Sequence, residues 1–448
     1  MEFRFVNHSP GGSNNRKIIR SHVMKGKNSG KTHVSRGQTR RKQGARDEPV
    51  LPSRDMITTL RRMVGNDLST YSPGAELPPH TRLLFHQRKQ TMQHSQTYWD
   101  PMTSVWFGYL LTDKAFLHVS LSMTAAWLDF FEYKEHESPA AIAHMTQAFA
   151  LVNQRLSNPE GTSDQTIALI CMLVCQESIR GDLERYKTHL LGLARIVELR
   201  GGIHVLEEKD DVIHKICRAD IQYALHTETP PRYNYDSVPQ RVRRQVSQTE
   251  THSQRPLSTI FCTAEPSTRH MVRELDDISV LFASGGRKWK LTAHEYSATI
   301  LSLGYRLLQV RDQGLQNLDA MQDACLLGLM CFYSSLLLQL GRQRHLVYAT
   351  LSCQLKASVD GLISGCRHPR LPSTIMWLLM IGAISVLEKE EDVWLLPALA
   401  RVSGMAGLKG WEETCKGLKE YPWIGSIHDG QGERVWERVQ RYQLDTME

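Results

Sequence analysis

The sequence predicts an all-α fold of packed antiparallel helices behind a disordered basic N-terminal arm. Three observations carry this. From about residue 55 onward apolar residues recur at three- and four-residue spacing, the signature of helices with one buried face. Alternating apolar–polar runs of the kind a half-buried strand needs do not stand out. The cations are gathered at one end: residues 1–46 hold twelve Lys/Arg against one acidic residue, Glu2, so that segment is +11 while the whole chain is +7. The remaining residues therefore sum to −4, and the body is slightly acidic.

Residues 1–54 are expected to be disordered. Pro10-Gly11-Gly12-Ser13-Asn14-Asn15 has the composition of a turn or linker, and residues 25–52 contain hardly an apolar side chain. Such a segment cannot offset its ordering entropy by burial. Its cations fall in two clusters. Arg16, Lys17, Arg20 and Lys25 flank a short stretch in which Ile19 and Val23 stand one helical turn apart. Arg36, Arg40, Arg41, Lys42 and Arg46 form the second cluster, and Arg40-Arg41-Lys42 is the best candidate for a nuclear-import signal. A basic arm suits an anionic partner, which includes non-specific DNA. No aromatic residues interleave with these cations, so stacking on single-stranded bases is not indicated.

The body divides into a first helical half over 55–231, a polar loop over 232–266 and a second helical half over 267–448. Helices are expected over 61–67, twice within 104–135, and over 139–156, 166–180, 182–200 and 211–228. Pro139 suits a first helical turn. In 182–200 the residues Leu183, Tyr186, Leu190, Leu193 and Val197 make one apolar stripe, with acids at the start and arginines near the end. Gly201-Gly202 supplies the stop, because glycine reaches the left-handed conformation without steric cost. Pro230-Pro231 ends the next helix. Residues 232–266 are rich in Arg, Gln, Ser and Thr and lack periodicity. Beyond them, helices are expected near 268–283, 293–312, 319–341, 344–364, 371–388 and 393–407, followed by a less regular tail with Trp411, Trp423 and Trp436.

The longest apolar runs, 324–338 and 374–387, are shorter than the ~20 residues a membrane span needs, so both are expected in the core and no membrane is expected as a partner. The start of the sequence is charged, with no apolar segment of the secretory kind after it, so the sequon Asn7-His8-Ser9 has no expected role. Nine cysteines occur, none before Cys171, which fits free thiols in a reducing compartment.

Catalytic and cofactor motifs are mostly missing. Gly26-Lys27-Asn28-Ser29-Gly30-Lys31-Thr32 has three residues between its glycines where a phosphate-binding loop has four. Cys171 and Cys175 share a helix face, but the surrounding residues are those of a core, and no histidine pair stands near to complete a zinc site. There is no His-Glu-x-x-His and no Gly-x-Ser-x-Gly. His189 is expected to be a structural histidine. Asp220 falls on the apolar side of its helix, where a lone charge would cost several kcal/mol, so a partner from another helix or a helix N-terminus is expected, first of all in an ion pair. No cofactor, metal or catalytic residue is expected.

Several stretches taken together resemble a known family. Phe5-Val6-Asn7 and Arg20-Ser21-His22-Val23-Met24 resemble the N-terminus of filamentous-fungal proteins classed with the fungal-specific transcription factors. Tyr186, His189, Gly192, Leu193 and Arg200-Gly201-Gly202 resemble a motif helix of the regulatory domain in that zinc-cluster superfamily. Arg218-Ala219-Asp220 followed by Pro230-Pro231 resembles the next helix, and the tail from Trp423 to Trp436 is similar too. The resemblance implies a multi-helix regulatory domain, nuclear localisation and a role in transcription regulation. The cysteine-rich zinc cluster of many members has no counterpart here, since no cysteine precedes Cys171. The partners implied are proteins of the transcription machinery, other regulators or a second copy in a homodimer. A non-DNA-binding scaffold and a small-molecule-sensing regulator are the alternatives.

Overall fold

The computed structural model describes residues 109–110, 112–131, 138–206, 210–239, 255–283, 293–314, 318–337, 348–365 and 370–446. All of them fall in one compact unit, Leu51–Glu448. The basic arm, with Arg16, Lys17, Arg20, Lys25, Arg36, Arg40, Arg41, Lys42 and Arg46, lies outside the described residues, as does the helix expected over 61–67.

Among the described residues there are fourteen α-helices and no strand. The first five are α1 (Lys114–Phe131), α2 (Pro139–Leu156), α3 (Asp164–Arg180), α4 (Leu183–Leu199) and α5 (Asp210–Thr227). Local chemistry fixes their ends. Asp113 accepts from the backbone N–H of Ala115 and Phe116 at 2.9 and 3.1 Å, which caps α1. The same carboxylate takes both guanidinium nitrogens of Arg155, at 2.7 and 2.9 Å, and so ties the start of α1 to the end of α2. Ser138 caps α2 with Pro139 in its first turn, Ser163 caps α3, and Asp182 caps α4.

The next three are α6 (Pro256–Ile260), α7 (Pro266–Ala283) and α8 (Ala293–Gly314). Helix α6 lies within the stretch read as a polar loop. Leu257, Ile260 and Phe261 are buried there, and Gln322 donates to the Ile260 carbonyl at 2.9 Å. A helix of this length is too short for apolar periodicity to register, which is why the sequence hides it.

Helices α9 (Ala320–Leu336), α10 (Ala349–Gly365), α11 (Leu371–Ser385) and α12 (Asp392–Ala406) form the apolar centre of the second half. Most described residues of the two longest apolar runs fall in α9 and α11, which pack on each other. Helix α9 also meets α6, α8 and α10, so it is apolar all round because it is covered all round. Among the described residues no helix is long and apolar enough to cross a membrane.

The tail corrects an expectation: it is regular. It consists of α13 (Trp411–Leu418) and α14 (Gly425–Asp445), and α14 packs on α11, α12 and α13. Three glycines in the first half of α14 weaken its helical signal. One has a packing reason: a Cβ at Gly432 would stand 2.6 Å from Trp411 Cη2 and 3.0 Å from Trp423 Cζ2. The glycine lets two indoles lie against the helix backbone.

Helix α5 joins the two halves. It packs against α3 and α4 before it in the chain and against α8 and α10 after it.

Candidate functional site

The motif helix α4 ends in a hydrogen-bonded cap. Gly201 N–H donates to the Glu198 carbonyl and Gly202 N–H to the Val197 carbonyl, both at 2.9 Å, the pairing of a Schellman motif. Both glycines have positive φ, 111° and 96°. Arg200 reaches back across this turn. One of its terminal nitrogens donates to the Thr162 carbonyl at 2.8 Å and the other meets Asp164 at 2.7 Å, so the end of α4 is stapled to the start of α3. His189 is half-buried, its ring stacked on Phe149 of α2 at 6.0 Å, and burial holds its pKa below the usual histidine value, aided by Arg185 and Arg180. Gly192 lies on the exposed face of α4, open to solvent.

Asp220 of α5 is 3% exposed, as its place on the apolar side predicts. Its partners differ from the expected ion pair. The backbone N–H groups of Arg232 and Tyr233 donate to its two oxygens, each at 2.9 Å, and the Tyr305 hydroxyl of α8 donates at 3.1 Å. Burial raises its pKa, and these hydrogen bonds oppose the rise. The Arg232 guanidinium goes instead to Glu198 of α4. Asp220 therefore closes the turn after its own helix onto α8. Pro230-Pro231 help explain the arrangement: they break the helix, and the chain returns to place two N–H groups over the carboxylate.

Further ties along α5 were not legible in the sequence. Tyr186 of α4 donates to the Ala219 carbonyl at 2.7 Å and stacks on Tyr223 at 5.8 Å. The His226 ring stacks on Tyr348 at 4.3 Å, just before α10. Glu228, with φ of 57°, pairs with Arg311 of α8 at 2.8 Å and accepts from Gln354 of α10. Arg218 donates to the Leu337 carbonyl at the end of α9. Each of these joins residues far apart in the chain, and no local pattern announces such a pair.

Several thiols behave as core groups, while Cys262 and Cys353 are exposed. Cys171, Cys217, Cys325 and Cys331 are buried, and burial pushes each pKa up, for Cys331 to about 12. Among the described residues no group of three or more His, Cys, Asp or Glu is placed to hold a metal ion. The residues brought together are thus Arg200-Gly201-Gly202 at one junction and Asp220 at another. His189 stands apart from both, between α2 and α4.

What these features define is an all-helical body whose motif residues cap and staple helices and join them across one central helix. Comparison with known proteins gives the narrower placement: residues 90–260 match the model of a family described as the fungal specific transcription factor domain. No curated protein and no solved structure matches the chain. The matched segment contains α1 to α6, and with them Asp220 and the α4 cap.

Proposed function

We propose that this protein is a non-catalytic nuclear regulator of transcription. The observation that carries the reading is the family match over residues 90–260, which contain His189, Gly192, Arg200, Gly201, Gly202 and Asp220. The charge split supports it: residues 1–46 sum to +11 and the rest of the chain to −4. In this reading the arm supplies nuclear import through Arg40-Arg41-Lys42 and weak phosphate contact, and the body binds protein partners or a second copy through helix faces. Phosphate contacts alone give sequence-blind, salt-sensitive affinity, so target choice would rest on partners.

Two measurements test it. DNA binding of the full chain and of a chain lacking residues 1–54 is compared across salt; the full chain should bind more tightly, with the steeper salt dependence. Equal affinity of the two would remove the arm from the account. A fluorescent fusion of the full chain should be nuclear and should lose that accumulation when Arg40, Arg41 and Lys42 become Ala. Cytoplasmic residence of the unmutated protein would favour a scaffold instead.

A further inference from the structure

Helix α12 is apolar on every side: from Asp392 to Ala406 only Asp392 itself and Arg401 carry charge. A helix of that composition is ordinarily covered all round, as α9 is. Helix α12 is packed on one side, by α11 and α14. Its outer face carries Val393, Leu396, Pro397, Ala400 and Gly404, which follow one another at helical spacing. Val393 is 86% exposed, Pro397 and Gly404 are exposed, and Leu396 and Ala400 are half-buried. Asp392 is engaged by Arg438 of α14, at 2.6 and 2.8 Å, and so lends no free charge to this face. The outer face of α4 shows the ordinary pattern instead, since Glu184, Arg185, Lys187, Arg195 and Glu198 are all exposed there. A continuous exposed apolar face marks a surface that a partner covers.

The sizes and charges along this face say which partner. Bulk lies in its first half, at Val393 and Leu396. The second half has Gly404 and, at the end of the helix, Gly407, and a Cβ at either would meet nothing within 4 Å. Gly407 has a local reason in its φ of 66°. Gly404 has no such reason, and alanine would suit the helix better. An exposed acid, Glu390, precedes the helix, and an exposed base, Lys409, follows it. A face with this order is complementary to itself when reversed. Antiparallel pairing about a twofold axis at Ala400 sets Val393 of each copy over Gly407 of the other, and Leu396 over Gly404. It also brings Glu390 of each copy to Lys409 of the other, and sets the positive end of each helix dipole beside the negative end of its neighbour. Parallel pairing would set bulk on bulk and acid on acid. We propose that two copies of this chain pair through the outer face of α12, with the two helices antiparallel about Ala400. This rests on the reading in which the body binds a second copy through a helix face, and it gives that face.

The test is sedimentation velocity of the full chain from about 1 to 100 μM, over which it should pass from monomer to dimer. Val393→Lys places a cation beside Lys409 of the other copy, and Gly404→Leu fills the space that Leu396 needs. Each should weaken the dimer ~10-fold or more. Both positions are exposed, so circular dichroism and the melting temperature at monomeric dilution should not fall. Glu390→Lys and Lys409→Glu should each weaken pairing about threefold, and the two together should restore it. A chain that stays monomeric throughout, as when another segment of the same chain covers the face, would overturn the proposal; nuclear accumulation and chromatin occupancy would still be decided separately. A dimer that Val393→Lys and Gly404→Leu leave intact would overturn it too. Failure of the double charge reversal to recover the loss would overturn the antiparallel arrangement.

Discussion

His428 shows how far burial dictates chemistry at a single residue. The ring is 1% exposed, between Trp423 and Phe332. Its Nδ1 accepts the Ile424 N–H at 3.0 Å, so the neutral ring carries its proton on Nε2 and donates to Ser335 at 2.9 Å. A second proton would remove the acceptor that Ile424 needs. Burial accordingly lowers the pKa from 6.5 to about 3. The folded pKa lies below the unfolded one, so the stability this residue contributes is present above pH 6.5 and is lost as pH falls towards about 3. The slope is at most about 1.4 kcal/mol per pH unit. His428→Gln should flatten the fall in unfolding free energy between those limits, as denaturant titration at several pH values would show. Gly201→Ala acts through the backbone instead. Its φ of 111° is costly for any side chain, so the variant should lose about 1–2 kcal/mol.

Helix α14 carries two glycines with opposite roles, and they make a sharp comparison. Gly430 is exposed, with open space around it, while Gly432 lies against Trp411 and Trp423. Gly430→Ala should stabilise by about 0.5–1 kcal/mol, the ordinary helix preference for alanine. Gly432→Ala should destabilise by about 1–3 kcal/mol, because the indoles must move. Equal effects of one sign would contradict the packing described. The same helix shows what a sequence hides. Periodicity and capping residues revealed most helices, including the stop at Gly201-Gly202, because those signals are local. Helix α14 was obscured because glycine weakens local preference where a distant indole requires it. Asp220 was legible as a buried acid, but its Tyr305 partner, 85 positions away, was not. Nor did its position reveal that backbone N–H groups would answer it in place of a cation.

For the whole molecule, the boundary of the family match and the boundary of the packing differ. The match ends at residue 260, yet α5 inside it is covered by α8 and α10 outside it. Ile213, Cys217 and Ile221 of α5 are all fully buried. A fragment of residues 90–260 would uncover part of that face, together with the Asp220 and Glu228 junctions. It should keep helical far-ultraviolet circular dichroism, lose cooperative unfolding and bind a hydrophobic dye. A cooperative transition matching that of the full chain would show that the matched segment is autonomous. By the same argument, regulation should be sensitive to substitutions well beyond residue 260, along the α5 seam. The claim of a transcriptional role is tested most directly by chromatin occupancy of the tagged full-length protein at its native level. The account predicts crosslinking at a restricted set of loci, whereas a profile indistinguishable from that of an untagged control would contradict it.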